Sequence, residues 1–299
     1  MHPDEWIAIW SSFVNPDRAK SGILPSRRAG TMLPLPSMLD LPLAVGRSTR
    51  LFLDQIGAGT RFVVATCRAM RDTKDWIPEF STHARVLGVE SLPIGVFIAL
   101  FTGIVLALLA SYSVGDLVPP YFVGTLVQKT ITLELAPVLT GLALAGRVGA
   151  NIAAELGTMR VTEQIDALET LTFDPMSHLV VPRVLASTMM FPVVVAVAML
   201  AGLLSGWMAS LLLLDITTPQ FLKGARIFFT DFDVRYGLVK SASFGAAVAL
   251  IGCRAGLNTQ GGAQGVGRGA TRAVVISAVM ILVLDAFWAL VWLSGRTLR

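Results

Sequence analysis

The residues of this chain that could do chemistry are few and concentrated. Residues 146–169, GRVGANIAAELGTMRVTEQIDALE, hold Arg147, Glu155, Arg160, Glu163, Asp166 and Glu169, whereas the stretch from Val184 to Leu214 carries no charge at all. No segment reads G-x-x-x-x-G-K-[ST], so the chain lacks the loop that cradles ATP phosphates. The run GGAQGVGRGATR has Gly261, Gly262, Gly265, Gly267 and Gly269 but neither that lysine nor a preceding strand. It reads as a turn before an apolar segment, with Arg268 and Arg272 anchoring at the membrane surface. His2, His83 and His178 are scattered, with no cysteine or carboxylate at ligand spacing, so no metal site is expected. No Ser, His and Asp set can be assembled, and Cys67 and Cys253 give no reason to expect a bridge.

What remains is a set of ionisable groups inside apolar stretches, which are costly there and mark function or an internal pair. Glu134 has two readings: a functional role at the outer end of the second span, or a buried pair with Lys240 or a local backbone cap. Lys240 is expected to snorkel to the interface. Asp285 is expected to be a structural hydrogen-bond partner, because one acid alone makes no proton relay.

The elements that position these groups follow from composition. With 54% hydrophobic and 15% charged residues and a mean hydropathy of +0.68, the chain of 299 residues falls in the membrane class. Its net charge of +4 and pI near 9.4 come from cations that crowd the first 85 positions and the span edges, so phosphate headgroups are the expected anions. The start, MHPDEWIAIW, does not read as a cleaved signal peptide, and the first span is expected to serve as the targeting signal. Residues 1–40 are expected to form a flexible or surface-lying extension. Over 41–85, apolar Val45, Phe52, Ile56 and Phe62 interleave with Arg47, Arg50, Arg61 and Arg68, predicting an interfacial amphipathic helix with a break near Gly57 and Gly59.

Residues 86–299 are expected to form a five-span membrane domain, with spans at about 92–111, 131–154, 178–214, 236–253 and 273–293. Leu92–Ser111 holds no charge and is long enough to cross roughly 30 Å of hydrocarbon. Gly95, Ala99, Gly103, Ala107 and Ser111 form a ladder of small residues for close helix approach, and Gly141, Ala145, Gly149 and Ala153 repeat it in the second span. The third span is too long for an upright helix and is expected to tilt, with a kink at Pro192. Five spans put the termini on opposite sides. Lysines and arginines number 10 on one set of flanks against 6 on the other, favouring a cytoplasmic N-terminus.

On that topology the charged island is cytoplasmic. Val161, Ile165, Leu168 and Leu171 fall on one side of a short helix, about 162–172, with Glu163, Asp166 and Thr170 on another. Thr162 is a candidate cap and Asp174-Pro175 a candidate stop. A helix this short is marginal in water, so its apolar stripe packs either on the membrane domain or on a soluble partner whose movements it transmits.

ELAPVLTGLALAGRVGANIAAELGTMRVTEQIDALETLTFDP with VVPR, TGIVLAL in the first span and GVGRGATRAVV before the last together resemble the MlaE/YrbE permease family, the membrane subunits of MCE-associated ABC lipid transporters. The likeness covers roughly residues 85–293. It implies an all-α integral membrane protein with an N-terminal interfacial amphipathic helix, five transmembrane helices and a cytoplasmic coupling helix between spans 2 and 3. It implies that Glu163, Gln164, Asp166, Ala167 and Leu168 face an ATPase subunit. It further implies a homodimer, an MCE-domain hexamer, a STAS-domain subunit, the bacterial inner membrane, and ATP bound by the partner, with no cofactor in this chain. The cargo is then a phospholipid or similar amphiphile, with Val105, Leu106, Leu109 and Glu134 as candidate lipid contacts. Where many members carry Arg before the acid, this chain has Leu133, which removes any headgroup contact that Arg would make.

A secondary transporter or channel would need inverted repeats, broken helices or several facing ionisable residues, and the sequence offers only isolated acids. An integral membrane lipid-modifying enzyme would need a nucleophile and base that the sequence does not provide.

Overall fold

Helices make up almost all of the regular structure, and no strand occurs among the described residues. The structure, a computed structural model, describes residue 54 and residues 57–71, 73–114 and 118–293; the 1–40 segment and most of 41–56 lie outside the described residues. Residues 57–69 are helical (α1). They are followed by α2 (Thr73–Leu87), α3 (Leu92–Val114), α4 (Tyr121–Val161), α5 (Gln164–Thr170) and α6 (Met176–Leu213). α7 (Thr218–Ile227), α8 (Asp231–Leu257) and α9 (Gly262–Trp292) complete the chain. Five stretches are long and apolar enough to cross a bilayer: α3 with the α2 segment before it, α4, α6, α8 and α9. The chain is an all-α multi-pass membrane protein.

Close backbone approach organises the bundle. Hydrocarbon surrounds unfolded and folded spans alike, so packing between helices rather than escape from water drives association. The small ladder of α3 faces α6: Ala99 and Ala107 are buried, and a Cβ on Gly103 would overlap Ser205 Oγ and the Gly202 carbonyl. The ladder of α4 faces α8 and α9, with Phe244 3.1 Å and Val248 3.4 Å from where Cβ atoms on Gly141 and Gly149 would sit. The two ladders that the sequence displays thus find different partners. Gly103→Leu is expected to force α3 and α6 apart at a cost of roughly 1–3 kcal/mol. A thermal-unfolding midpoint in mild detergent equal to that of the parent chain would contradict this.

α4 extends to 41 residues and contains two π-helical segments, Ile131–Leu135 and Ala145–Gly149. Each π turn re-aims the side chains around it, and each holds one of the two ionisable residues anticipated in the second span, Glu134 and Arg147. The Arg147 guanidinium donates to the backbone carbonyl of Glu90 and reaches the Glu90 carboxylate at 3.4 Å. That pins the 3₁₀ turn Val89–Ser91, which links α2 to α3, against α4. α2 itself packs on α6, where Gly88 leaves room for Met190. α6 runs on through Pro192 as one helix.

Depth can be read from shared contacts. Ala107 and Ala110 of α3, Val123 and Val127 of α4, Ala209 of α6, and Ile216 and Phe221 of α7 and its lead-in form one buried cluster. The end of α3, the start of α4 and α7 therefore lie at one level, here termed the α7 face. α2 and α5 lie toward the opposite α5 face, where Arg183 Nη2 meets Glu155 Oε1 at 2.6 Å. α7 has no counterpart among the expected elements.

Candidate functional site

The segment expected to couple to an ATPase is built from backbone geometry as much as from side chains. The helix spans Gln164–Thr170, shorter at both ends than the expected 162–172, because Glu163 (φ 60°) and Thr172 (φ 65°) turn left-handed. Thr162 does not cap it; its hydroxyl donates back to the Thr158 carbonyl at 2.9 Å. At the far end the Phe173 and Thr172 amides donate to the Leu168 and Glu169 carbonyls, a Schellman closure built on threonine instead of the usual glycine. Asp174 caps the next helix, its carboxylate accepting from the amides of Met176 (3.1 Å) and Ser177 (3.3 Å). Asp174→Ala is expected to cost about 1 kcal/mol through the loss of this cap, read as a lowered unfolding midpoint; an unchanged midpoint would refute the capping role.

On α5, Ile165 is buried and Leu168 half-buried, while Glu163, Gln164, Asp166 and Ala167 are exposed. Asp166 is held by Arg160 at the end of α4, Oδ1 to Nη1 2.5 Å. The predicted stripe therefore divides. Its Ile165 end packs on the chain, whereas Leu171 (64% exposed), together with Phe173 (47%) and Val161, is left uncovered.

Val105, Leu106 and Leu109 come together with Phe101, Thr102 and Leu135 to line a groove of about 300 Å³ between α3 and the first π segment of α4. The only polar group in this wall, the Thr102 hydroxyl, donates to the Ile98 carbonyl at 2.7 Å. Glu134 does not line the groove. Phe101 lies one turn before Val105 on regular α3, whereas the π turn that brings Leu135 to the groove leaves no periodic mark in the sequence.

Glu134 instead meets Lys240. The ammonium is fully buried, 2.7 Å from Glu134 Oε2, and also pairs with the Asp285 carboxylate. It donates to the Leu133 carbonyl at 3.4 Å and lies 5.4 Å from the Tyr236 ring centre. Three spans, α4, α8 and α9, are thereby tied at one point. Lys240 does not snorkel, since it lies about three turns inside α8 with two carboxylates at hand. Around it, Phe232 stacks with both Tyr236 and Trp292, Tyr236 and Trp292 meet at a tilt, and Trp288 donates to Ser243 Oγ at 2.9 Å. A second tie, Lys129 to buried Asp233 at 2.6 Å, joins α4 to α8 nearer the α7 face and gave no sequence signal.

Comparison with known proteins agrees with this architecture. The family model described as Permease MlaE matches residues 80–291. A probable ABC transporter permease protein of Rickettsia felis is 36% identical over 246 residues, 82% of this chain and 95% of its own length. Another, from Synechocystis sp., is 41% identical over 210 residues, 70% of this chain and 80% of the relative. The chloroplastic Protein TRIGALACTOSYLDIACYLGLYCEROL 1 of Arabidopsis thaliana is 37% identical over 163 residues, 54% of this chain and 47% of that protein. With five membrane helices, an exposed turn after the second and a match over most of its length, this chain belongs to the MlaE permease family and is a permease of an ABC transporter.

Proposed function

We propose that this permease moves phospholipid or a similar amphiphilic lipid between membranes, powered by a separate ATPase subunit that binds ATP and grips α5. The groove carries this reading. Its walls are apolar and its single hydroxyl is already engaged, so it offers an acyl chain a surface and gives a polar solute nothing to orient it. The name of the Arabidopsis relative, that of a galactolipid, supports an amphiphilic lipid as cargo. The groove is open along α3, where Phe97, Phe101, Val105 and Leu109 are exposed, and a second copy of the chain would close it. The working assembly on this reading is a homodimer with two ATPase subunits, an MCE-domain hexamer on the far side and a STAS-domain subunit on the ATPase. It sits in the bacterial inner membrane with the N-terminus and the α5 face cytoplasmic.

The test is purification of the complex in mild detergent, lipid mass spectrometry of what it retains, and ATP-dependent transfer of fluorescent phospholipid between vesicles. Retained ATPase with ATP-dependent lipid transfer supports the reading. Ion-driven uptake of a water-soluble solute by this chain alone would sink it.

A further inference from the structure

α7 takes no part in the groove, the triad or the α5 turn, yet it is held with unusual firmness. Thr217 and Gln220 form a reciprocal capping box at its start, and Pro219 sits in its first turn. Its inner face is set for backbone contact: a Cβ on Gly224 would overlap the Tyr121 carbonyl, and one on Gly124 would overlap that of Phe221. The Thr125 hydroxyl donates to the Gly224 carbonyl at 2.7 Å, and Phe221 is buried. α7 is therefore seated rigidly on the first turns of α4, with only residues 214–217 and 228–230 tethering it to α6 and α8.

Uncovered apolar side chains remain on the helix and just past its C-terminal end. Leu222, Ile227, Phe228 and Phe229 are all between 41% and 49% exposed. The only charges on the helix are two cations, Lys223 and Arg226. Lys223 Nζ lies 5.2 Å from the centre of the Tyr121 ring, while the acids nearby among the described residues are Asp215, Asp233 paired with Lys129, and Asp231 paired with Arg235. The level of this edge is fixed by the buried cluster that joins Phe221 to Ala110 near the end of α3. Apolar and aromatic side chains beside cations, held where the spans end, match the chemistry of the bilayer interface.

We propose that α7 is an interfacial anchor, with Leu222, Ile227, Phe228 and Phe229 inserted among the acyl chains of the leaflet on the α7 face and with Lys223 and Arg226 on its lipid phosphates. The anchor stands on the membrane placement of the five spans, independently of the cargo. Its effect is to hold the outer ends of α4, α6 and α8 at a fixed depth while the α5 face moves.

The test uses the full chain carrying Cys67→Ser and Cys253→Ala, reconstituted in vesicles of three parts phosphatidylethanolamine to one part phosphatidylglycerol. Nitroxide labels are placed singly through Phe228→Cys, Phe229→Cys and Leu222→Cys, with Thr170→Cys on α5 as the water-exposed reference. Collision with oxygen relative to a water-soluble nickel chelate is expected to be several-fold higher at the three α7 positions than at Thr170. Adding Lys223→Glu and Arg226→Glu is expected to lower that ratio. Nickel access equal to that at Thr170 would put the edge in water and overturn the proposal. Exclusion of both probes with an immobilised spectrum would show a protein cover, from a second copy or another subunit, and would overturn it equally. Three label sites make the result independent of any one variant that fails to fold.

Discussion

Lys240→Met is expected to be the most damaging single substitution in the chain. It leaves the Glu134 and Asp285 carboxylates facing one another with no cation between them, inside three packed spans. Breaking a buried pair by removing one partner costs about 3–5 kcal/mol, because the remaining charge is uncompensated. Lys240 is fully buried and also donates to the Leu133 carbonyl, so its loss strands an acceptor as well. Glu134→Gln should be milder, because Asp285 still neutralises the ammonium and the Glu134 side chain is 42% exposed. The revealing variant is the triple replacement Glu134→Gln, Lys240→Met, Asp285→Asn, which removes all three charges and is expected to recover most of the lost stability. Thermal unfolding of the four proteins in one detergent checks the order. A Lys240→Met midpoint at or above that of the triple variant would show that the triad does not clamp the spans. Lipid transfer by the refolded triple variant then separates a clamp from a direct role in transport, since a clamp alone needs no charge.

Much of this was legible in the sequence, and the failures have identifiable causes. The spans declared themselves because hydrocarbon demands about 20 apolar residues from each, and the small ladders of α3 and α4 both proved to be packing faces. The triad was half visible. Pairing of Glu134 with Lys240 stood as one of two readings, but Asp285 was expected to be a structural partner whose mate stayed hidden, because spacing along a chain does not report which spans adjoin. The π segments around Glu134 and Arg147 were invisible, since one residue per turn leaves a periodic pattern almost unchanged over five residues. The ends of α5 were misplaced for a different reason. Its left-handed positions are Glu163 and Thr172, whereas sequence signals for such turns rest on glycine and asparagine. α7 does leave a sequence mark: Thr217, Pro219 and Gln220 spell a helix start, set just after the charge-free run of the third span.

The division of the α5 stripe decides where a substitution should uncouple the machine. Ile165 is buried in the chain, so Ile165→Asp would damage folding and say little about docking. Asp166 is held by Arg160 and half exposed, and its pair contributes little in water. Leu171 is 64% exposed and Phe173 47% exposed, so Leu171→Asp and Phe173→Asp should leave the unfolding free energy of the isolated permease within about 0.5 kcal/mol of the parent. If an ATPase grips this segment as proposed, these uncovered apolar side chains would be its anchors, and truncating a central anchor costs at least about 2 kcal/mol, roughly a thirty-fold loss of affinity. The expected signature is thus a permease that folds normally, retains little ATPase through purification, and transfers lipid weakly while any bound ATPase still hydrolyses ATP. Asp166→Lys should act through a different route, by turning a cation toward Arg160 and shifting the α4 to α5 turn, with a smaller loss of binding. If Leu171→Asp and Phe173→Asp both retain parental ATPase content and parental coupling between hydrolysis and lipid transfer, the engine does not grip this edge, and the buried Ile165 end of α5 marks a helix that only closes the membrane domain.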